Sequence, residues 1–211
     1  MAIPAKSKYV INARPGSRSG VTLFCAPGEL PSLWTRIVLA EKDVDSARVE
    51  VVRPGRPHPD LMTLNPTMAL PTLVDRDAVL YPAMIVAEYL DERYPHPRLL
   101  PTDPVSRAHV RMLLGRMESE MFPLAQTISS APKSADAKAA RKTLGEYLIA
   151  SAQFFPQRGW CLGLDFNLAD CAWAALLSQL PALQVGLPAQ ATLQRYAQRL
   201  LARQSVQSVL A

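Results

Sequence analysis

The chain has 211 residues, of which 49% are apolar and 19% charged, and its formal net charge is +5. This length suffices for one large domain or two small ones, and the composition supports a packed core and excludes wholesale disorder. We find no apolar run as long as a membrane span and no apolar secretory segment near the N-terminus, so we expect no membrane attachment.

The positive charge is concentrated at the N-terminus, where the first twenty residues hold four basic side chains and no acid. The rest of the chain is therefore nearly neutral and lacks the dense basic stripe that binds phosphates, so we expect no direct sequence-specific nucleic-acid binding. Residues 1–19 mix Pro, Gly, Ser and basic residues without periodicity, and we interpret them as a disordered basic tail. An organelle transit segment is the alternative interpretation.

The cysteines and histidines do not form a recognisable site. Cys25, Cys161 and Cys171 are odd in number and widely separated, which predicts neither a disulfide framework nor a metal site. We therefore expect no metal, no other cofactor and a reducing, cytoplasmic location. His58 and His109 have no ligand neighbours in sequence, and we expect both to be solvated at the surface.

Residues 20–94 alternate strand-like and helical patterns. An X-Pro bond at Leu70-Pro71 stands at the mouth of a strand, because proline cannot supply a ladder N–H from inside one. Pro82 is expected as the first residue of the helix that follows the hairpin. Strand, helix, strand, hairpin and helix is the order of a thioredoxin-like domain with a four-stranded mixed sheet and three helices. The predicted elements are strands at 21–24, 48–52, 72–74 and 78–81 and helices at 33–42 and 82–94, with loops at 25–31 and 53–59.

Residues 95–104 contain four prolines and no periodicity, which predicts a linker. Residues 105–211 then read as an all-helical domain. A helix at 105–130 is expected to bend at Pro123, and a second follows at 135–155. Asn167 and Asp170 have the spacing of a helix N-cap with its partner acid, and Pro181 is expected to stop that helix. Further helices are predicted at about 191–210.

Three segments resemble known proteins: RIVLAEK at 36–42, LNPTMALPTLVDRD at 64–77 and EYLDERYPHPRLLP at 88–101. The first two and the order of elements resemble glutathione transferases. That resemblance implies a thioredoxin-like domain followed by a helical domain, a cis bond at Leu70-Pro71 that forms the edge gripping a peptide-like ligand, and a homodimer through the first domain and the long fourth helix. The third segment is similar to the bacterial stringent starvation protein A family, whose members have this fold and associate with RNA polymerase.

The resemblance also locates the residues that a transferase would use on glutathione. Such enzymes activate the glutathione thiol with a hydroxyl or thiol beside the start of the first helix. The position matching the serine- and cysteine-type enzymes is Glu29, whose carboxylate offers no donor and repels a thiolate. The tyrosine-type position is Cys25, which we interpret as a buried inert thiol.

A second part of the transferase site is also altered. Transferases hold the γ-glutamyl end of glutathione with Glu-Ser at the start of the third helix, whereas this chain has Pro82-Ala83, which removes one N–H and the hydroxyl. We therefore expect a protein that is not an enzyme, and a divergent glutathione S-transferase or glutathione-linked thiol enzyme using Cys25 is the alternative. The vestigial ligand site comprises Cys25, Glu29, Leu70, Pro71, Pro82 and Ala83.

The run Tyr94-Pro95-His96-Pro97 is the candidate partner-binding site, and we call it the proline ledge. Each proline fixes its own φ and restricts the residue before it, so the segment is stiff and loses little entropy when a partner docks. The simpler interpretation is that the prolines only end a helix. The family resemblance favours binding of the RNA polymerase holoenzyme, through its promoter-specificity subunit, with the basic tail dispensable.

Overall fold

The computed structural model describes residues 20–44, 46–56 and 58–211. The predicted basic tail lies outside these residues. The described chain begins with a four-stranded sheet and its helices and continues with helices alone. The strands are β1 (Val21–Cys25), β2 (Arg48–Val51), β3 (Thr72–Asp75) and β4 (Ala78–Leu80), and the helices are α1 (Leu30–Glu41), α2 (Pro59–Leu64), α3 (Ala83–Arg93), α4 (Pro104–Arg116), α5 (Phe122–Ser130), α6 (Ala135–Ser151), α7 (Leu168–Leu183), α8 (Ala191–Leu201) and α9 (Gln204–Leu210).

The sheet has the strand order β2-β1-β3-β4 and is mixed, as predicted. β1 pairs parallel to β2, with Leu23 opposite Val49, and antiparallel to β3, with Leu23 opposite Leu73. β3 and β4 form the predicted hairpin. β1 and β3 are completely buried because the sheet is covered on both faces.

Helices α1 and α7 form the contact between the sheet-containing part and the helical part. α1 buries most of its surface, including Trp34, and α7 is buried over nearly its whole length. Asn167 caps α7 through the backbone N–H of Ala169, and Asp170 accepts from the backbone N–H of Asn167, which confirms the predicted capping box. A polar cap is needed here because the helix start is buried.

Three proline predictions need correction. Pro82 is the N-cap residue of α3, not its first helical residue, and the Tyr81-Pro82 bond is cis. The single helix expected at 105–130 is divided instead, because a π-helical segment from Met117 to Met121 separates α4 from α5, and Pro123 lies in the first turn of α5. α7 continues through Pro181 to Leu183, because burial of its last leucines outweighs one lost backbone hydrogen bond.

Two further expectations change in detail. The helix predicted at 135–155 ends at Ser151 and passes into a short 3₁₀ turn at Ala152–Phe154. His58, expected to be solvated, is half-buried, and its ring lies edge-on to Phe24 with 5.1 Å between ring centroids. An imidazole has enough apolar surface to pack there. His109 is exposed, as expected.

Candidate functional site

The start of α1 is the position where a transferase would activate a thiol. Glu29 is the N-cap residue of α1, but its side chain makes no capping hydrogen bond, and burial raises the pKa of its carboxyl. Cys25 is buried, with its Sγ pointing at the carbonyl of Ser32 across 3.9 Å. Burial raises the pKa of the Cys25 thiol to about 12, partly offset by Arg36. Because the thiolate is the reactive form, this site holds an unreactive thiol.

Ser32 is a hydroxyl near the start of α1 that the sequence reasoning did not consider. Its side chain is buried, and its Oγ accepts a hydrogen bond from the backbone N–H of Ala26 at 3.0 Å. The hydroxyl therefore tightens the loop between β1 and α1. It is not exposed to a ligand in the cleft.

The edge that would face a peptide-like ligand keeps the transferase geometry. The Leu70-Pro71 bond is cis, as the resemblance implied, and Pro71 is buried while Leu70 is half-buried. Asn65 supports this corner by donating to the Oγ1 of Thr72 at 2.9 Å. The backbone edge is therefore in place even though the chemistry beside it has changed.

The start of α3, where a transferase would bind the γ-glutamyl carboxylate, has an acid of this chain beside it. Pro82 is exposed and lacks an N–H, and the side chain of Ala83 is buried. Glu118, in the π-helical segment, lies near the backbone N–H of Met84 at the start of this helix. Burial raises the pKa of Glu118, and the Met84 N–H acts in the opposite direction. An incoming carboxylate would thus meet the carboxylate of Glu118 near the helix start.

Glu29 and Glu118 line one cleft of about 310 Å³ between the two parts of the molecule, together with Phe122 and Gln179. Neither carboxylate has a basic partner among the described residues. Glutathione carries a net negative charge and needs a thiolate beside the start of α1. Two carboxylates disfavour both the ligand and the thiolate. The cleft therefore lacks the chemistry of glutathione activation.

The proline ledge lies away from this cleft, between α3 and α4. Pro95, His96 and Pro97 are all exposed, and Tyr94 is half-buried with the guanidinium of Arg93 5.4 Å from its ring centroid. The His96-Pro97 bond is cis. Burial raises the pKa of the Tyr94 hydroxyl, reinforced by Asp75 and partly offset by Arg93. The structure thus presents three consecutive ledge residues to solvent, but it does not bring them near the cleft residues.

Two residues that sequence reasoning missed lie beneath the ledge. Lys42 and Asp91 form a buried ion pair, and Lys42 also donates to the backbone carbonyls of Tyr94 and Pro97. A signal for both was present, because they belong to the segments 36–42 and 88–101 that carry the family resemblance. Spacing alone does not pair residues so far apart in sequence.

Neither a metal-binding group nor a membrane-spanning helix is found among the described residues. Residues 20–44, 46–56 and 58–211 bring no three His, Cys, Asp or Glu side chains together in a group that could hold a metal ion. Within the same residues, no helix is both long and apolar enough to cross a bilayer.

Fold comparisons define the class of protein. Residues 31–93 match the glutathione S-transferase N-terminal domain and residues 106–204 the glutathione S-transferase C-terminal domain. A tau class glutathione S-transferase from mango, Mangifera indica, superposes with a TM-score of 0.78 at 24% identity, covering 92% of this chain and 94% of that one. At this identity the likeness shows the glutathione transferase fold alone.

Relatives with similar sequences identify the family of this chain within the glutathione transferase fold. The stringent starvation protein A homolog of Pasteurella multocida is 44% identical over 80% of this chain and 78% of its own length. That of Coxiella burnetii is 39% identical over 92% of both chains. The chain therefore belongs to the stringent starvation protein A family.

Proposed function

We propose that this protein is a non-enzymatic regulator of transcription that binds RNA polymerase holoenzyme through the proline ledge, by way of the promoter-specificity subunit. The observation that carries the proposal is the exposure of Pro95, His96 and Pro97 in a turn tied down from beneath, in a chain of this family. Stiff, exposed proline turns suit recognition because little conformational entropy is lost on binding.

The cleft supports the non-enzymatic part of the proposal. A thiol enzyme using Cys25 would need an accessible thiolate, but this thiol is buried and its pKa is raised to about 12. Glu29 provides no donor for a bound thiol, and Glu118 places a carboxylate near the start of α3. The alternative of a divergent glutathione transferase thus lacks both a nucleophile and an anion site.

The proposal also includes the domain arrangement, the dimer and the cellular location of the protein. Residues 20–94 form the thioredoxin-like domain, 95–104 a linker that carries most of the ledge, and 105–211 the helical domain. Two copies associate through the first domain and α4. We place the protein in the cytoplasm, where bacterial RNA polymerase works.

The test is recovery of RNA polymerase from cell extract by immobilised protein. The wild type should retain holoenzyme, and a folded variant with Pro95, His96 and Pro97 all changed to Ala should not. Lys138→Ala, at an exposed residue of α6, is the control and should retain polymerase. Purified core enzyme, which lacks the specificity subunit, should be retained less than holoenzyme. Equal recovery by the triple variant removes the ledge from the mechanism, and no recovery by the wild type removes the polymerase proposal.

A further inference from the structure

Lys42 ends α1 as its C-cap residue, and its side chain is completely buried under the proline ledge. Its Nζ donates to the Oδ1 of Asp91 at 2.6 Å, to the carbonyl of Tyr94 at 2.8 Å and to the carbonyl of Pro97. An ammonium has three N–H donors, and all three are used here. Complete pairing of this kind is what makes burial of a lysine tolerable.

The two carbonyls that Lys42 binds lie at opposite ends of the ledge. Because both contact the same nitrogen, they lie within about 5 Å of each other. The same carbonyls would lie about 10 Å apart in an extended chain. Lys42 therefore closes residues 94–97 into a tight turn, and Pro95 and His96 lie on its exposed side.

Asp91 fixes the chain just after the ledge. Its Oδ1 accepts from the backbone N–H of Leu99 at 2.7 Å and its Oδ2 from that of Leu100 at 3.0 Å. Both leucines are buried. Lys42 thus holds the ledge itself, and Asp91 holds the residues that directly follow it.

From this geometry we infer that Lys42 is the positioning residue of the partner surface, an inference that rests on the proposed function. Lys42 is buried and acts through backbone carbonyls, so it need not touch the partner. Its effect is to hold the bound shape of the ledge before the partner arrives, which lowers the entropy lost on binding. An apolar side chain of similar length would fill the space but would supply no donors.

Lys42→Met tests this role, because methionine is long, unbranched and without N–H groups. Asp91 keeps its bonds to Leu99 and Leu100 but loses its buried cation, so folding of the variant is verified first. We expect recovery of polymerase holoenzyme to fall about tenfold, as for a surface that must be ordered on binding. Lys142→Met is the matched control. Lys142 is exposed on α6 and lies 3.9 Å from Glu146, so its loss should leave recovery unchanged.

A spectroscopic measurement separates positioning from general stability. The chain contains three histidines, so its histidine ring signals in a proton NMR spectrum can be assigned with single His→Ala variants. In folded Lys42→Met the His96 signal should move and broaden, while the His58 and His109 signals stay in place. Lys42→Gln keeps an amide N–H and should give an intermediate effect, and it replaces Lys42→Met if the methionine variant does not fold.

Polymerase recovery and the His96 signal can be used to test the proposed function and the role of Lys42 separately. If the wild type retains no polymerase, the proposed function is wrong, and the His96 signal still tests whether Lys42 sets the ledge. If the triple alanine variant loses polymerase but folded Lys42→Met and Lys42→Gln keep it, the proposed function stands and the positioning inference is overturned. A His96 signal unchanged in both Lys42 variants also overturns it.

Discussion

The hydroxyl of Tyr196 on α8 donates to the Oδ1 of Asp170, the capping-box acid in the first turn of α7, across 2.6 Å in the buried interior of the helical part. The same carboxylate accepts the backbone N–H groups of Cys161 and Asn167. One acid therefore joins α7, α8 and the loop before α7. Burial raises the pKa of Asp170 from 3.8 to about 6, and the hydrogen bonds act in the opposite direction.

The raised pKa of Asp170 predicts how the free energy of unfolding changes with pH. The folded chain binds the Asp170 proton more tightly than the unfolded chain, so the stabilisation from protonation is fully present below about pH 4 and is lost as the pH rises to about 6. The effect is on the order of 3 kcal/mol. The measurement is urea unfolding of the wild type and Asp170→Asn at several pH values.

The comparison isolates Asp170 from the other carboxyl groups, which are common to both chains. Asparagine does not titrate, and its amide nitrogen cannot accept the N–H of Asn167, so the variant should be less stable than the wild type by about 1–3 kcal/mol below about pH 4. The stability difference, wild type minus variant, should shrink as the pH rises from about 4 to about 6. A difference that grows over that range would show that the folded-state pKa of Asp170 is lowered.

The order of strands and helices was predictable because each element has a local signature. The proline at residue 71, the capping pair Asn167 and Asp170, and the buried apolar runs all act over a few residues. Helix ends were less predictable. Pro181 looked like a stop signal, but burial of the leucines around it extends α7 by almost one turn.

The chemistry of the sites depends on contacts between residues distant in sequence. Glu29 was identified from its position, but Glu118 in a long helix looks like any solvated acid, and only the fold brings it to the start of α3. Likewise the pairing of Lys42 with Asp91 spans 49 positions and requires α1 to lie beside α3. Sequence spacing predicts neither contact, because both are set by tertiary packing.

The buried position of Cys25 predicts an unreactive thiol. Its pKa of about 12 lies about three units above the ordinary 9.0, so at neutral pH the thiolate fraction is about a thousandfold lower than for a free cysteine. Iodoacetamide should therefore leave Cys25 unmodified in the folded protein and modify it in urea. Peptide mass spectrometry measures the modified fraction at each cysteine.

Ser129→Cys supplies the positive control for that experiment. Ser129 is exposed and lines the same cleft as Glu29, so a thiol there should be alkylated at the rate of a free cysteine. Modification of Cys25 at a comparable rate in the folded protein would restore the thiol-enzyme alternative.

Glutathione itself should not stabilise the protein. The carboxylates of Glu29 and Glu118 line the cleft, and the N-cap residue of α3 is a proline that has no N–H. A ligand that stays far below its dissociation constant does not shift the unfolding equilibrium, so millimolar glutathione should leave Tm unchanged. Calorimetry with and without glutathione measures this, and sodium glutamate at equal concentration controls for ionic strength. A rise in Tm specific to glutathione contradicts the proposed loss of binding.

We expect the contact between the two copies of a homodimer to form on the surface of α3 and α4. Ile85, Val105 and Met112 are large apolar side chains on these helices, and they are 48%, 63% and 72% exposed. A second copy packed on this surface would remove them from water, and a charge at its centre would prevent that. Met112→Glu should therefore convert a dimer into a monomer at micromolar concentration, as measured by sedimentation velocity. Ile149→Glu places the same charge on α6, where Ile149 is 54% exposed, and should leave the dimer intact. A wild-type monomer, or dissociation by Ile149→Glu alone, would show that α3 and α4 do not form the dimer contact.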